Sequence, residues 1–278
     1  MDLLMINAKI RTMDAKGTVA RAVGIRQGRI DIIGTTQQVL QTKTQKDEVM
    51  DLKEKTVFPG FIDAHNHMIY YGTELMGINC RTEAIRSIDV VLDAYAHVLK
   101  IMPREDHRHR IEHFTMAGPE MIQRAKRLGI IPVVAATEVP FYGDAFIKNL
   151  GPQRAECCYP LRSMLDSKLP VALSTDRPFD PVGNPLYSVQ AAVQRKTRSG
   201  HVIGKAQCIQ VEDAIRMHTN HAAYAAFEEQ LKGSIEVGKL GDFVVYPIDP
   251  FEVDIKELPQ IPVSYTIVGG NVVYTGQD

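Results

Sequence analysis

Neither sign of charge is in excess in this 278-residue chain, where 32 Lys and Arg face 33 Asp and Glu for a formal net charge of −1. With no basic run long enough to track phosphates, a nucleic-acid partner is not expected. Cysteine is scarce, four in all with two adjacent at 157 and 158. That is no disulfide framework, and it fits a reducing cytoplasm. Apolar runs of membrane-spanning length are missing, so no membrane partner is expected either. The opening MDLLMINAKIRTMDAKG has no basic region followed by a continuous apolar stretch, and so does not read as a secretion signal. A phosphate loop, a dinucleotide fingerprint and a serine nucleophile elbow are also lacking.

What is present is an ordinary globular composition, 45% hydrophobic and 23% charged, enough for a sizeable core and one or two domains. Residues 2–11, 20–26 and 29–34 are β-branched or alternating runs separated by turn residues, and Gln27-Gly28 reads as a hairpin turn. Residues 35–46 are polar with one helical turn at most, and 48–57 return as a strand pair. Residues 242–246, 263–268 and 271–274 have the same strand character, with Gly269-Gly270 as a second hairpin turn. Between the two ends the period changes from two to 3.6. Ile85, Ile88, Val91, Leu92, Tyr95, Val98 and Leu99 share one face of a helix over residues 83–100. Residues 119–128 form another, with Pro119 early in its first turn and Gly129 beyond its end. Residues 130–136 are a continuous apolar run suited to a parallel strand buried on both faces. Helix at 154–167, strand at 170–174 and helices at 185–196 and 211–229 complete an α/β alternation with a parallel sheet.

The stretch VFPGFIDAHNHM, residues 57–68, runs a short apolar strand into His65 and His67. Positions i and i+2 of a strand share a face, so the two rings converge, and neutral imidazole is a preferred zinc ligand. The spacing alone is weak, because nine His in this length produce a His-x-His pair roughly 0.3 times by chance. The pair His107 and His109 precedes an apolar strand at its N-terminal end and reads as solvated. Cys157 and Cys158 sit about 100° apart on a helix, so both cannot readily bind one metal, and packing is their expected role. Asp176 follows the apolar run 170–174, where Asp before Arg-Pro also suits a turn or a helix N-cap.

The string PGFIDAHNH resembles the opening of the amidohydrolase superfamily, in its YtcJ-like "amidohydrolase 3" branch. Further similar strings follow in the family's order: RHRIEH (108–113), LGPQRA (150–155), YPLRSMLDSKLPVALSTDRP (159–178), GSIEVGKLGDFVVY (233–246) and TIVGGNVVY (266–274). The resemblance implies a (β/α) TIM-type barrel, residues 58–232, beside a small β-sandwich formed by residues 1–57 together with 233–278. A full barrel needs eight strands. About four are visible here, at 57–64, 109–112, 130–136 and 170–174. The second to fifth strands therefore look deleted near residues 81–88, and with them the family's metal-bridging residue and the fifth-strand histidine. The resemblance also places His65, His67 and His113 as metal ligands and Asp176 as the catalytic aspartate, all at the C-terminal strand ends where such barrels keep their sites. His218 and His221 match a helix of the family in which they are structural. The implied chemistry is metal-dependent hydrolysis of a non-peptide carbon–nitrogen bond in a small molecule, with one divalent ion, zinc or alternatively manganese or iron. The alternative is a catalytically inactive truncated remnant that acts through protein contacts. A barrel missing strands leaves unpaired edges and uncovered apolar faces, so a homo-oligomer is expected.

Overall fold

Turn chemistry sets the first strands. In the computed structural model, which describes residues 2–67, 87–177 and 182–276, Gln27 and Gly28 both have positive φ, 50° and 78°. Two consecutive left-handed residues make the hairpin turn whose twist matches that of its flanking strands. The strands Ala22–Arg26 and Arg29–Gly34 accordingly pair antiparallel. Gly269 and Gly270 repeat the device at φ 55° and 77° between Tyr265–Val268 and Asn271–Thr275.

The chain divides into two compact units, Met1–Ile62 with Val211–Asp278, and Asp63–Gln210. In the first, a four-stranded sheet has the order Arg29–Gly34, Ala22–Arg26, Asp2–Ile6, Asp47–Asp51. A six-stranded sheet has the order Asn271–Thr275, Tyr265–Val268, Phe243–Tyr246, Thr56–Pro59, Lys9–Arg11, Val19–Ala20. Leu3, Met5, Val23 and Ile25 from one sheet share a core with Ile10, Val57, Phe243 and Ile267 from the other. The helices Val211–Met217 and Asn220–Ala225 cluster with these strands.

The second unit contains a parallel three-stranded sheet, Ala172–Leu173, Ile131–Val134, Arg110–Glu112. Ile131–Val134 is its middle strand and is buried throughout, as a strand covered on both faces must be. Helices alternate with the three strands, Pro119–Arg127, Glu138–Leu150 and Pro185–Gln194 among them.

Five readings of the sequence change here, and one is that the helix at 211–229 is two short ones, Val211–Met217 and Asn220–Ala225. The apolar run 57–64 is not a strand of the parallel sheet. Thr56–Pro59 is taken by an antiparallel ladder with Phe243–Tyr246 in the first unit, and the chain beyond Gly60 is irregular. The helix at 154–167 is two pieces, Pro152–Ala155 and Leu161–Asp166, because Tyr159 adopts φ 50° and is followed by Pro160. Glu138–Leu150 had no expected element, since Pro140 and Gly143 interrupt its helical pattern. His107 and His109 are half-buried rather than solvated. His107 Nε2 donates to the Leu128 carbonyl at 2.7 Å, its Nδ1 accepts from the His109 amide at 3.0 Å, and the two rings stack 4.5 Å apart. The expected deletion near residues 81–88 lies mainly in 68–86, outside the described residues.

Candidate metal centre

His65, His113 and Asp176 come from three separate stretches, and each offers one ligand atom within 4.8 Å of the others. Main-chain bonding explains why. Ala64 N donates to Leu173 O at 3.3 Å, Asp176 N to His65 O at 3.1 Å and His67 N to Arg177 O at 2.7 Å, so residues 64–67 run beside the end of the strand Ala172–Leu173. Asp63 clasps the two segments. Its carboxylate accepts from the Thr175 amide at 2.9 Å and from the Thr175 hydroxyl at 2.5 Å. His113 closes the strand Arg110–Glu112 one position past its end. His113 and Asp176 both hold left-handed backbone, φ 68° and 54°, a conformation that costs a non-glycine residue about 1–2 kcal/mol. Strain of this kind collects where a side chain must be aimed at something.

Two carboxylates orient the rings. His65 Nδ1 lies 3.2 Å from Glu112 Oε2, and His113 Nδ1 donates to Glu138 Oε1 at 3.0 Å. Glu112 is gripped by the Arg110 guanidinium at 2.9 and 3.0 Å, and Arg110 also reaches the Ala64 carbonyl. Burial alone would raise the Glu112 carboxyl, but the His65 hydrogen bond and the Arg110 charge outweigh it and hold it below the usual range. Glu138 also accepts from the Tyr159 hydroxyl. Burial, with the Glu138 charge beside it, pushes that phenol well above its ordinary value and keeps it a neutral donor. The Glu138 hydrogen bond raises His113 against the opposing effect of burial.

With Nδ1 turned to a carboxylate, each neutral ring leaves Nε2 as a lone pair. His65 Nε2 sits 3.1 Å from Asp176 Oδ1, yet both atoms are buried with no hydrogen-bond partner. Two acceptors facing each other at that distance repel unless a cation lies between them, so the donor set fits a divalent ion. His67 Nε2 approaches the same oxygen at 2.8 Å, and its ring centre is 4.9 Å from that of His65.

All four expected site residues therefore meet. His65, His113 and Asp176 form the tight group, and His67 joins through Asp176. Glu112, Glu138 and Asp63 escaped the sequence reading. An Arg-x-Glu pattern on one strand face marks Glu112, and Asp63 lies one strand period before His65. Nothing local marks Glu138. His218 is buried in the first unit, its carbonyl accepting from Ile62 N at 2.7 Å.

Comparison with known proteins bears on these residues. A model of the amidohydrolase family matches residues 76–274. YtcJ of Bacillus subtilis, which bears the name amidohydrolase, is 28% identical over 194 residues, 67% of this chain and 36% of its own length. The N-substituted formamide deformylase of Arthrobacter pascens is 39% identical over 102 residues, 37% of this chain and 19% of its own. The chain thus spans well under half the length of either relative. A metal-dependent hydrolase from Pyrococcus horikoshii has the same fold at TM-score 0.71 and 12% identity, over 93% of this chain and 100% of that one.

Proposed function

The chain belongs to the amidohydrolase family, and from that premise we propose that it is a metal-dependent hydrolase of a non-peptide carbon–nitrogen bond, in an amide, formamide or cyclic amide. The observation that carries this reading is the convergence of the buried acceptors His65 Nε2 and Asp176 Oδ1, 3.1 Å apart and without a well-formed hydrogen bond, on the same point as His113. We further take the second unit as an incomplete TIM-type barrel and the first as a β-sandwich. His65, His113 and Asp176 would hold a single divalent ion, with His67 as the third nitrogen at the site. Bound there, zinc, or manganese or iron in its place, supplies Lewis acidity and a nucleophilic water near neutral pH.

The chain's own groups do the rest. Glu112 and Glu138 fix ring orientation and tautomer, so that both Nε2 lone pairs face inward. As water adds to the substrate carbonyl carbon, the Asp176 carboxylate takes its proton. When the carbon–nitrogen bond breaks, the same proton passes to the leaving nitrogen, which departs as a neutral amine. His67 beside Asp176 Oδ1 keeps that carboxylate aimed during both transfers.

A second reading, an inactive remnant acting through protein contacts, is favoured by the parallel sheet of only three strands among the described residues. Metal content separates the two. The hydrolase reading expects close to one zinc, manganese or iron per chain after metal-replete expression, lost in His65→Ala and His113→Ala. Metal-free wild-type protein would sink it. A screen of N-acyl amines, formamides and cyclic amides with added zinc or manganese then supplies a substrate.

A further inference from the structure

A cavity of about 610 Å³ opens beside the metal centre within the second unit. Glu112 and His113 form one wall, so the cavity and the donor cluster share His113. Most of its remaining lining is apolar, including Ile111, Phe114, Met116, Met121, Phe146 and Leu150. Pockets of roughly 300–1,000 Å³ with such walls take most of a small organic molecule, well beyond a formyl or acetyl group. The two methionines are unbranched and polarisable, and adapt to the shape of what they cover.

Charge sharpens the assignment. Among the described lining residues there is no Lys or Arg, and Ser87, Thr115 and Asn149 are neutral. The one carboxylate, Glu112, already faces Arg110 at 2.9 and 3.0 Å and His65 at 3.2 Å. Among the described lining residues, a ligand carboxylate entering here finds only the His113 ring, which is already paired with Glu138 at 3.0 Å. A ligand ammonium finds a carboxylate whose charge is already compensated. An ion in such a place loses hydration without replacement, whereas an aryl or alkyl group gains from leaving water.

We infer that this cavity is the specificity pocket of the site and that it takes a bulky, uncharged apolar substituent of an amide, excluding substrates that carry a carboxylate or ammonium at that end. The inference rests on the proposed hydrolase reading for its placement beside the reacting bond, but its test does not depend on turnover.

The test is isothermal titration of the full chain with 4-phenylbutanamide, 4-carbamoylbutanoate and 4-aminobutanamide, which carry a phenyl, a carboxylate or an ammonium at the end away from one common amide. EDTA is present throughout, so that neither hydrolysis nor carboxylate ligation by metal contributes. Two variants place a large ring in the cavity: Met121→Trp, and Met116→Trp at a position already 36% exposed, where folding is not at stake. The chain has no native Trp, so each new indole also reports occupancy by its emission. The expected result is that 4-phenylbutanamide binds on the order of tenfold more tightly than either charged amide, with a similar loss in both variants. Equal affinity for the three compounds, unchanged 4-phenylbutanamide binding in both variants, or no binding of it up to its solubility limit would each overturn the pocket. Ordered binding with no amide ever hydrolysed would leave the pocket and remove the hydrolase. Hydrolysis indifferent to both Trp variants would do the reverse.

Discussion

At the scale of single residues, the centre is a set of lone pairs held against each other by groups one bond further out. Glu138 touches no other predicted ligand than His113 and yet fixes which of its nitrogens faces the cluster. Glu138→Gln leaves the shape nearly unchanged but substitutes a neutral amide for the carboxylate. Metal affinity, measured by competition with a chromophoric chelator, is expected to fall about 10–100-fold, and Glu112→Gln should behave likewise. Asp176→Asn can still accept a hydrogen bond but cannot take up a proton near neutral pH. Turnover of any substrate found in the screen is expected to drop about 10²–10⁴-fold. A variant as fast as wild type, with equal bound metal, would remove Asp176 from the proton path.

At the scale of elements, two devices in the second unit lend themselves to measurement. Arg195 is 1% exposed, and its guanidinium donates to the carbonyls of Ile203, Tyr159 and Cys158 at 2.7, 2.8 and 2.6 Å. It ties the helix break at Tyr159 to the loop at Ile203. Arg195→Met orphans the Ile203 and Cys158 carbonyls and leaves that of Tyr159 with Leu161 N alone, and urea unfolding should show a loss of about 2 kcal/mol or more. Asp144 caps the turn after Arg195, accepting from the Ser199 hydroxyl at 2.5 Å, which draws its carboxyl down to about 2. A folded value below the unfolded one means that the carboxylate stabilises the fold above about pH 3.9 and that this is lost as pH falls toward 2. A carboxyl carbon shift followed by NMR should titrate with a midpoint near the lower value. A midpoint near 4 would remove the link between Asp144 and the turn. Period and turn residues were enough to find most helices and both hairpins, because those signals are local. The fate of residues 57–64 was not legible, since an apolar run serves either kind of partner, and Thr56–Pro59 takes both, Phe243–Tyr246 antiparallel and Lys9–Arg11 parallel, in the first unit. Among site residues, His65, His67, His113 and Asp176 could be named because their strings resemble a family. Glu138 could not, as it reaches His113 only through the packing of Glu138–Leu150.

At the scale of the whole molecule, the helix Ile88–Ile101 is apolar on most of its circumference but buries only Leu92, while Val98, Ile101 and Met102 are 43%, 62% and 70% exposed. A helix of that composition is ordinarily covered. Arg110–Glu112 is the edge strand of the described parallel sheet, and among the described residues no helix is long and apolar enough to cross a membrane. Self-association is the expected way to cover these surfaces, and light scattering that shows a stable monomer across the micromolar range would refute it. The Asp63 clasp bears on folding as well. It joins residues 112 positions apart, and a loop of that length closes slowly because its ends must meet before any contact rewards them. His65 therefore reaches Asp176 only after most of the second unit is in place. In a refolding experiment, uptake of a metal would be a late signal to recover, a clock for completion of the contact between Asp63 and Thr175.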